Sequence, residues 1–227
     1  MSSAATFVIA IDGPSGTGKS TVSRRVAAAL DAGYLDTGAM YRIVTLAVLD
    51  AGIDPADDAA VAALLDSLTF DSPTDPEQQL HLLGGRDVGQ AIRTVEVTTA
   101  VSPVSANPAV REWLKVRQQD LATSGRMVVE GRDIGTVIAP EAQLKVYLTA
   151  DETVRAARRH RDYAPGAGAA SVEATQTALA ARDRFDSTRT HAPLRAATDA
   201  VEVDSTYFEI EDTVAAILKL AGERGIG

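Results

Sequence analysis

The segment GPSGTGKS, residues 13–20, limits what this chain can fold into more than any other part of its sequence. It follows FVIAID, an apolar run with β-branched residues that predicts a buried parallel strand, and it precedes STVSRRVAAALD, whose apolar residues recur at helical spacing. Glycines permit backbone conformations in which several N–H groups converge on one anion, and the helix that follows adds its positive end. The spacing G-x-x-x-x-G-K-[ST] in this setting is a P-loop, which binds the phosphates of a nucleoside triphosphate. A glycine-rich turn that only lets the helix pack on the strand is the structural alternative.

The P-loop pattern assigns a role to the residues of this segment. Lys19 is expected to reach the β- and γ-phosphates of ATP, and the Ser20 hydroxyl is expected to bind Mg²⁺. The full set expected to bind ATP is Gly13, Pro14, Ser15, Gly16, Thr17, Gly18, Lys19, Ser20 and Thr21.

Alternating strand and helix patterns follow the P-loop. Four more strands are predicted by GYLD at 33–36, RMVVEG at 126–131, QLKVYLTA at 143–150 and DAVEVDST at 199–206, with helical patterns between them. Five parallel-type strands joined by helices predict an α/β fold with right-handed connections. Asn107 and Pro108 fit an N-cap and a first helical position.

One segment interrupts this alternation. Residues 68–94 contain prolines, a GG turn and short apolar runs, which predict a small antiparallel element inserted into the core. We therefore expect a core of residues 1–67 and 105–227 and an insertion of residues 68–104, acting as a single functional unit. A helix with Arg155, Arg158 and Arg159 precedes the segment YAPGAGAAS, which predicts a lid at about 155–185. A solvated charged face is the alternative for that helix.

Composition excludes several classes of function. The net charge of −9 argues against a nucleic-acid-binding protein, because phosphate backbones attract positive surfaces. The absence of cysteine excludes disulfides and thiolate metal sites, and the three histidines have no metal-ligand spacing. No stretch approaches the roughly 18 apolar residues of a membrane helix. The N-terminus has no signal-peptide pattern, so we expect a cytoplasmic chain with no membrane partner.

Other strings narrow the kind of P-loop protein. The N-K-x-D and D-x-x-G strings of a switch GTPase are absent, and VVEGRD places an arginine where a remodelling ATPase positions water. These features favour a small-molecule kinase. If its acceptor is also a phosphate, the site needs arginines near strand ends, where Arg42 and Arg132 with Asp133 are found. Arg42 could instead pair with an acidic neighbour on its helix, and Arg132 and Asp133 could form a structural ion pair.

A later helix carries three charged residues on one face, Arg182, Asp186 and Arg189. Their spacings of four and three suit either a ligand site or an ordinary surface ion pair, and the pattern alone leaves both open.

Five strings together resemble the bacterial cytidylate kinases, in the same order and over nearly the whole chain. They are IAIDGPSGTGKST, LDTGAMYR, AIRT…VS…PAVRE, EGRDIGTV and RD…D..R…PL…A.DA…DST. LDTGAMYR followed by GRDIGT is not shared with adenylate, thymidylate or shikimate kinases. The resemblance implies a P-loop nucleoside monophosphate (NMP) kinase core, with a five-stranded parallel sheet flanked by helices, a small NMP-binding insertion and a lid. It also implies phosphorylation of CMP and dCMP by ATP with Mg²⁺, and we expect a monomer.

The resemblance implies roles for individual residues as well. Arg42, Arg132 and Arg189 would hold the CMP phosphate and the transferring group, and Ser102, Arg111 and Asp133 would read the cytosine edge. Arg182 and Asp186 would contact the sugar hydroxyls, Thr37 and Tyr41 would line the acceptor pocket, and Arg158 would belong to the lid. The residues expected to be catalytic are Lys19, Arg132, Arg158 and Arg189.

The chain departs from the family pattern at a few positions. Glu130 stands where aspartate is common before GRD, so a water-mediated Mg²⁺ contact is not carried over to it, and Gln119 stands where arginine is frequent. The small, apolar lid loop gives no ATP contacts to carry over.

Two other functions stay open at this point. One is a P-loop kinase of a non-phosphorylated alcohol or nucleoside, in which Asp36 or Asp133 would act as the base. The other is a nucleotide-binding regulator without transfer activity.

Overall fold

The structure is a computed structural model that describes residues 6–162 and 171–227. The predicted lid loop at 163–170 lies outside the described residues. The strands are β1 (Phe7–Asp12), β2 (Gly33–Asp36), β3 (Phe70–Asp71), β4 (Leu82–Leu83), β5 (Arg86–Asp87), β6 (Arg126–Gly131), β7 (Leu144–Thr149) and β8 (Val201–Asp204). The helices are α1 (Lys19–Ala29), α2 (Thr37–Asp50), α3 (Asp58–Leu64), α4 (Val95–Ala106), α5 (Pro108–Ala122), α6 (Glu152–Asp162), α7 (Val172–Thr188) and α8 (Ile210–Glu223).

Five of the strands form one parallel sheet in the order β2-β6-β1-β7-β8. The predicted α/β class with five parallel strands is therefore confirmed. In the register of the sheet, Asp12 lies opposite Gly131 and Tyr147, and Asp36 lies opposite Glu130. The polar residues that end β1, β2 and β6 consequently meet at one edge, which is where open α/β sheets bind their ligands.

Helices cover both faces of this sheet, which explains why its strands are apolar runs rather than alternating ones. On one face, α1 and α8 bury residues such as Val26 and Ile217 against Ile9 and Leu148. On the other face, α2 and α5 pack over the sheet in a second cluster built from Ala10, Leu35, Val44, Leu114 and Val129. The two layers fix the P-loop, which connects β1 with α1, at the ligand-binding edge.

The start of α5 lies where the sequence predicts it. Asn107 caps α5, because its Oδ1 accepts from the N–H groups of Ala109 and Val110 at 2.9 and 3.3 Å, and Pro108 is the first helical residue. Asp36 caps α2 in the same way, by accepting from the N–H of Ala39. Within residues 6–162 and 171–227, every helix is too short or too polar to cross a membrane.

The antiparallel element predicted at 68–94 is confirmed as a three-stranded sheet of β3, β4 and β5. It is attached to the core through α2, where Ile43 and Leu46 share a buried cluster with Val88, Ile92 and Val97. The expected limits of the insertion, residues 68–104, stay a prediction.

Candidate active site

The P-loop adopts a conformation that its glycines make possible. Gly13, Gly16 and Gly18 have φ angles of 149°, 81° and 89°, in the region that favours glycine. A Cβ atom on Gly13 would lie 2.1 Å from the carbonyl oxygen of Leu148, so the loop passes directly against β7. Gly18 is the N-cap of α1, and the first N–H groups of that helix face the loop.

Lys19 folds back over this loop. Its ammonium group donates to the carbonyl of Pro14 at 2.6 Å and lies 3.4 Å from the Thr17 hydroxyl. Burial, together with the nearby Arg132 guanidinium, lowers the pKa of Lys19 to about 7. A bound phosphate would supply the negative charge that favours the protonated form.

Glu130, at the end of β6, lies close to the P-loop. Its Oε1 accepts from the Tyr34 hydroxyl at 2.7 Å, whereas Oε2 is buried and has no hydrogen-bond partner among the described residues. Burial and the neighbouring Asp36 raise the pKa of Glu130 to about 7, and Lys19 and the Ser20 hydroxyl are close enough to oppose that rise. An unsatisfied carboxylate oxygen beside Ser20 fits a hard cation, because Mg²⁺ prefers oxygen ligands.

Such a cation would also need ligands from the nucleotide. Within residues 6–162 and 171–227, no group of three or more histidine or carboxylate side chains is arranged to hold a metal ion. Magnesium commonly takes one or two protein ligands and completes its shell with substrate phosphates and water, so the residues present fit that mode of binding.

Asp12 shapes the turn after β6, a role that no local pattern in the sequence indicates. Its two carboxylate oxygens accept from the N–H groups of Ile134 and Gly135, both at 2.8 Å, and its side chain is buried. Burial raises the pKa of Asp12 to about 6 in spite of these two hydrogen bonds. Asp12 thereby fixes the turn that orients Arg132 and Asp133.

Arg132 connects the P-loop with α7. Its Nη2 donates to the Ser15 hydroxyl at 2.7 Å, and its Nε donates to Asp186 at 3.1 Å. The alternative of an ion pair between Arg132 and Asp133 is therefore wrong, because each of the two pairs with another residue.

Asp133 lies between two guanidinium groups, those of Arg111 and Arg189. It forms a buried ion pair with Arg111, and Arg189 lies 4.0 Å away. Arg189 is also 3.5 Å from Asp186, so alternating charges run from Arg111 through Asp133, Arg189 and Asp186 to Arg132. Asp186 lies on α7, whereas Arg189 directly follows the end of that helix instead of sharing its face as predicted. Their side chains are only 6% and 8% exposed, so they do not form a surface ion pair.

Tyr41 completes this side of the site. The Arg111 guanidinium lies 5.6 Å from the centre of its ring, and burial raises the pKa of its hydroxyl to about 12.

Two more arginines, Arg42 and Arg182, are half-buried and close to each other, and Arg182 is also close to Arg132. Arg42 donates to the Ile92 carbonyl and the Thr98 hydroxyl, both at 2.9 Å, and Asp50, the acidic residue at the end of its helix, pairs with Arg86 instead. Burial and the neighbouring Arg182 and Arg159 lower the pKa of Arg42 to about 9. Burial and Arg132 likewise lower the pKa of Arg182 to about 10. The positive charges of these arginines repel one another, and an anion bound between them would relieve that repulsion.

The remaining predicted residues take varied positions. Thr37 is buried and donates to the Glu130 carbonyl at 2.7 Å, and Ser102 lies half-buried on α4. Arg158 connects the P-loop with the loop after β8: its Nη2 donates to the Ser205 carbonyl at 2.7 Å, and its Nη1 is 3.4 Å from the Thr17 carbonyl. Arg155, on the same helix, is 6% exposed, so that face of α6 is not a solvated one.

Comparisons with known proteins cover almost the full length of the chain. A family sequence model described as cytidylate kinase matches residues 9–223. A protein of Rhodococcus opacus named cytidylate kinase is 50% identical over 228 residues, which are 99% of each chain. Another of that name, from Mycobacterium avium, is 51% identical over 203 residues, 89% of each chain. The crystal structure of an uncharacterized protein from Eubacterium ventriosum covers 96% of this chain and 99% of that one, with a TM-score of 0.50 and 10% identity, a likeness of fold alone.

Proposed function

Because this chain belongs to the cytidylate kinase family, we propose that its arginine cluster, formed by Arg42, Arg132, Arg182 and Arg189, is the place where its two nucleotide substrates meet. The chain is an ATP-dependent phosphotransferase: it transfers the γ-phosphoryl group of ATP to CMP or dCMP, giving CDP or dCDP and ADP in pyrimidine nucleotide metabolism. A kinase of a non-phosphorylated alcohol or nucleoside is not favoured.

The observation that carries the assignment of the acceptor site is the crowding of arginines around Arg182, which lies close to both Arg42 and Arg132. Burial and mutual repulsion lower the pKa of Arg42 and Arg182, which is unfavourable unless an anion binds there. The phosphate of CMP carries such a charge, and guanidinium groups match its oxygens in a planar, two-point arrangement. Arg189 would bind the same phosphate from the side of the cluster on which Asp186 lies.

The chemistry requires alignment and charge stabilisation more than a base. The attacking oxygen already belongs to a phosphate, and the alternative bases are engaged: Asp36 caps α2 and Asp133 pairs with Arg111. Lys19, Arg132 and Arg189 would stabilise the charge that develops on the transferring group, while the P-loop holds the donor phosphates in line. Arg182 and Asp186 would contact the sugar hydroxyls.

Asp133 and Arg111 are the proposed readers of the base, with Ser102 beside them. Cytosine carries an exocyclic amine where uracil carries a carbonyl, so a carboxylate acceptor prefers cytosine. The buried pair of Asp133 with Arg111 supports this assignment, because a fixed acceptor next to a fixed donor discriminates strongly between bases. Thr37 and Tyr41 would line the same pocket.

Ser20 and Glu130 are the proposed protein ligands of Mg²⁺, with the two nucleotides supplying further oxygens. The bound ion would neutralise charge on the transferring phosphoryl group. Tyr34 holds one oxygen of Glu130 and leaves the other free to face the cation. We further propose that Arg158 contacts ATP from the lid and that the chain acts as a monomer in the cytoplasm.

An acceptor panel tests the proposed sites. With ATP and Mg²⁺, CMP and dCMP should be phosphorylated far faster than UMP, AMP or cytidine. Arg42→Met and Arg182→Met should each raise the KM for CMP at least tenfold, because a phosphate or sugar contact to a guanidinium is lost. The matched control is Arg86→Met, which removes an exposed arginine paired with Asp50 outside the cluster. Equal KM values in all three variants would contradict the assignment of the acceptor site.

A further inference from the structure

One helix, α7, contacts both proposed nucleotide sites. Arg182 and Asp186 lie in the charge cluster of the acceptor side. Asp183, the residue between them in sequence, instead contacts the P-loop of the donor side. The same helix therefore contacts both the proposed ATP site and the proposed CMP site.

The attachment to the P-loop is made at a single residue. The N–H of Ser15 donates to Asp183 Oδ1 at 3.0 Å, and the carbonyl of Ser15 accepts from Arg155 Nη1 at 2.9 Å. Arg155 and Asp183 are also paired with each other. The backbone of Ser15 is thus held on both sides by one ion pair, with Arg155 contributed by α6 and Asp183 by α7.

This contact is buried and closely packed. The side chains of Arg155 and Asp183 are 7% and 16% exposed. A Cβ atom on Gly16 would lie 2.9 Å from the carbonyl oxygen of Arg155, so the backbone of α6 lies directly against the loop. Hydrogen bonds with charged partners are stronger than neutral ones, and limited access of water strengthens them further.

A second connection reaches the same residue from the acceptor side. Arg132 donates to the Ser15 hydroxyl and to Asp186, so a movement of α7 changes two sets of contacts to Ser15 at once. A CMP molecule whose phosphate binds to Arg132 and whose sugar contacts Asp186 would act on the same connection.

We propose that Arg155 and Asp183 are positioning residues that hold the P-loop through Ser15, and that α7 thereby couples binding of CMP to binding of ATP. The inference rests on the proposed assignment of the acceptor site to the arginine cluster. Neither residue needs to contact a substrate. Coupling requires that each nucleotide favours the same arrangement of α7 and Ser15, and it is reciprocal by thermodynamic necessity.

Calorimetric titrations test the coupling. The ATP analogue with an imido bridge between its β- and γ-phosphorus atoms is titrated into the protein with Mg²⁺, with and without saturating CMP. In the wild type, CMP should lower the Kd of the analogue by about fivefold or more, within the usual range of coupling between sites. In Asp183→Asn, this factor should fall to about one and the Kd of the analogue should rise about tenfold, because the charged partner of Ser15 and Arg155 is lost. The Kd of CMP alone should stay within about twofold, because the direct contacts of the Asp183 carboxylate are to Ser15 and Arg155 and not to the arginines of the acceptor site.

Arg184→Ala is the matched control, because Arg184 is the exposed neighbour of Asp183 on the same helix. Its coupling factor should equal that of the wild type. Coupling that is equally strong in Asp183→Asn and in the control would overturn the proposal, and so would a wild type without coupling. Melting curves of both variants show whether the protein is folded in each titration.

Removal of Arg155 provides an independent test. Arg155→Ala leaves the Asp183 carboxylate without its partner next to the site of the donor phosphates, so it should weaken binding of the analogue more than Asp183→Asn does. The double variant should bind the analogue more tightly than Arg155→Ala alone, since the uncompensated charge is removed as well. If the losses of analogue affinity in the two single variants add up in the double variant, Arg155 and Asp183 do not act on Ser15 as one unit, and the proposal is contradicted.

The proposed acceptor site is tested separately, by CDP formation in Arg42→Met and Arg182→Met. If those variants keep the KM of the wild type while Asp183→Asn loses coupling, the assignment of the acceptor site is wrong. The positioning role of Arg155 and Asp183 at Ser15 is then still supported.

Discussion

Asp133 is buried in an ion pair with Arg111 and is also the proposed reader of the base, so a substitution there should change both stability and base preference. Asp133→Ala would leave the Arg111 guanidinium buried without its partner, at a cost of about 3–5 kcal/mol in the free energy of unfolding. Asp133→Asn keeps the shape of the side chain and presents an amide that can donate to the uracil carbonyl. We expect the ratio of kcat/KM for CMP over UMP to fall at least tenfold in Asp133→Asn.

The two measurements separate these roles. Steady-state kinetics with both nucleotides gives the ratio, and urea unfolding of both variants gives the stability. A ratio in Asp133→Asn that equals the wild-type ratio would show that another group reads the base.

Asp12 predicts a pH dependence of stability. Burial raises the pKa of Asp12 from 3.8 to about 6, so the folded state binds this proton more tightly than the unfolded state. The contribution of this group to stability is therefore complete below pH 3.8 and is lost as the pH rises to about 6. Asp12→Asn removes the titration. Between about pH 4 and pH 7, the wild type should lose stability relative to this variant, by on the order of 3 kcal/mol.

Urea unfolding at a series of pH values measures this difference. Asp66→Asn, on an exposed side chain, serves as the control and should follow the wild type. A wild-type curve parallel to that of Asp12→Asn would show that the pKa of Asp12 is the same in the folded and unfolded states.

The sequence indicated some residues of the site and missed others for a physical reason. The P-loop residues lie within eight positions of one another, so a local pattern was sufficient to find them. The partner of each arginine depends on the tertiary fold, because a long side chain can reach several neighbours. Asp12 with Ile134, Tyr34 with Glu130 and Ser15 with Asp183 all pair across 96 or more residues, and no local pattern indicates such contacts.

Among the secondary-structure elements, the junction between α4 and α5 gives a prediction about stability. Asn107 caps α5 through Oδ1, and its Nδ2 donates to the Asp58 carbonyl at 3.0 Å at the start of α3. Asn107→Ala should lower the free energy of unfolding by about 2 kcal/mol, because it removes the cap and leaves that carbonyl without its donor. Asn107→Asp keeps the cap and should recover about half of the loss.

Chemical denaturation of the two variants checks this prediction. Equal stabilities for Asn107→Ala and Asn107→Asp would show that the cap contributes nothing. Neither substitution should alter the KM for CMP, because Asn107 lies outside the charge cluster.

The periodicity of the apolar residues predicted the individual strands and helices well, but it did not predict which elements lie next to each other in the fold. All five parallel strands and the helices beside them follow from apolar runs and helical spacing. The three strands of the insertion have only two residues each, too few for alternation to show. The prolines, the GG turn and the short apolar runs indicated the antiparallel element instead. The strand order β2-β6-β1-β7-β8 depends on packing across the whole chain.

For the whole molecule, shared packing between insertion and core predicts a single unfolding transition. Trp113, the one tryptophan, lies on α5 with its ring centre 5.6 Å from that of Phe70 on β3. Its fluorescence therefore reports on the contact between insertion and core. In urea, this signal and the far-ultraviolet circular dichroism should have the same midpoint, because α2 shares a buried cluster with the insertion. An earlier fluorescence transition would mean that the insertion unfolds by itself.

The strand order has a consequence for how the chain is made on the ribosome. In the five-stranded sheet, β2 pairs only with β6, and β1 pairs with β6 and β7. The growing polypeptide must therefore extend beyond residue 131, more than half of its length, before either early strand has a partner strand in this sheet. Until then the apolar segment FVIAID lacks its partner strands, so its side chains are exposed to water and to other nascent chains. A truncated product that ends before β6 should accordingly aggregate or require a chaperone, although it carries the complete phosphate-binding motif.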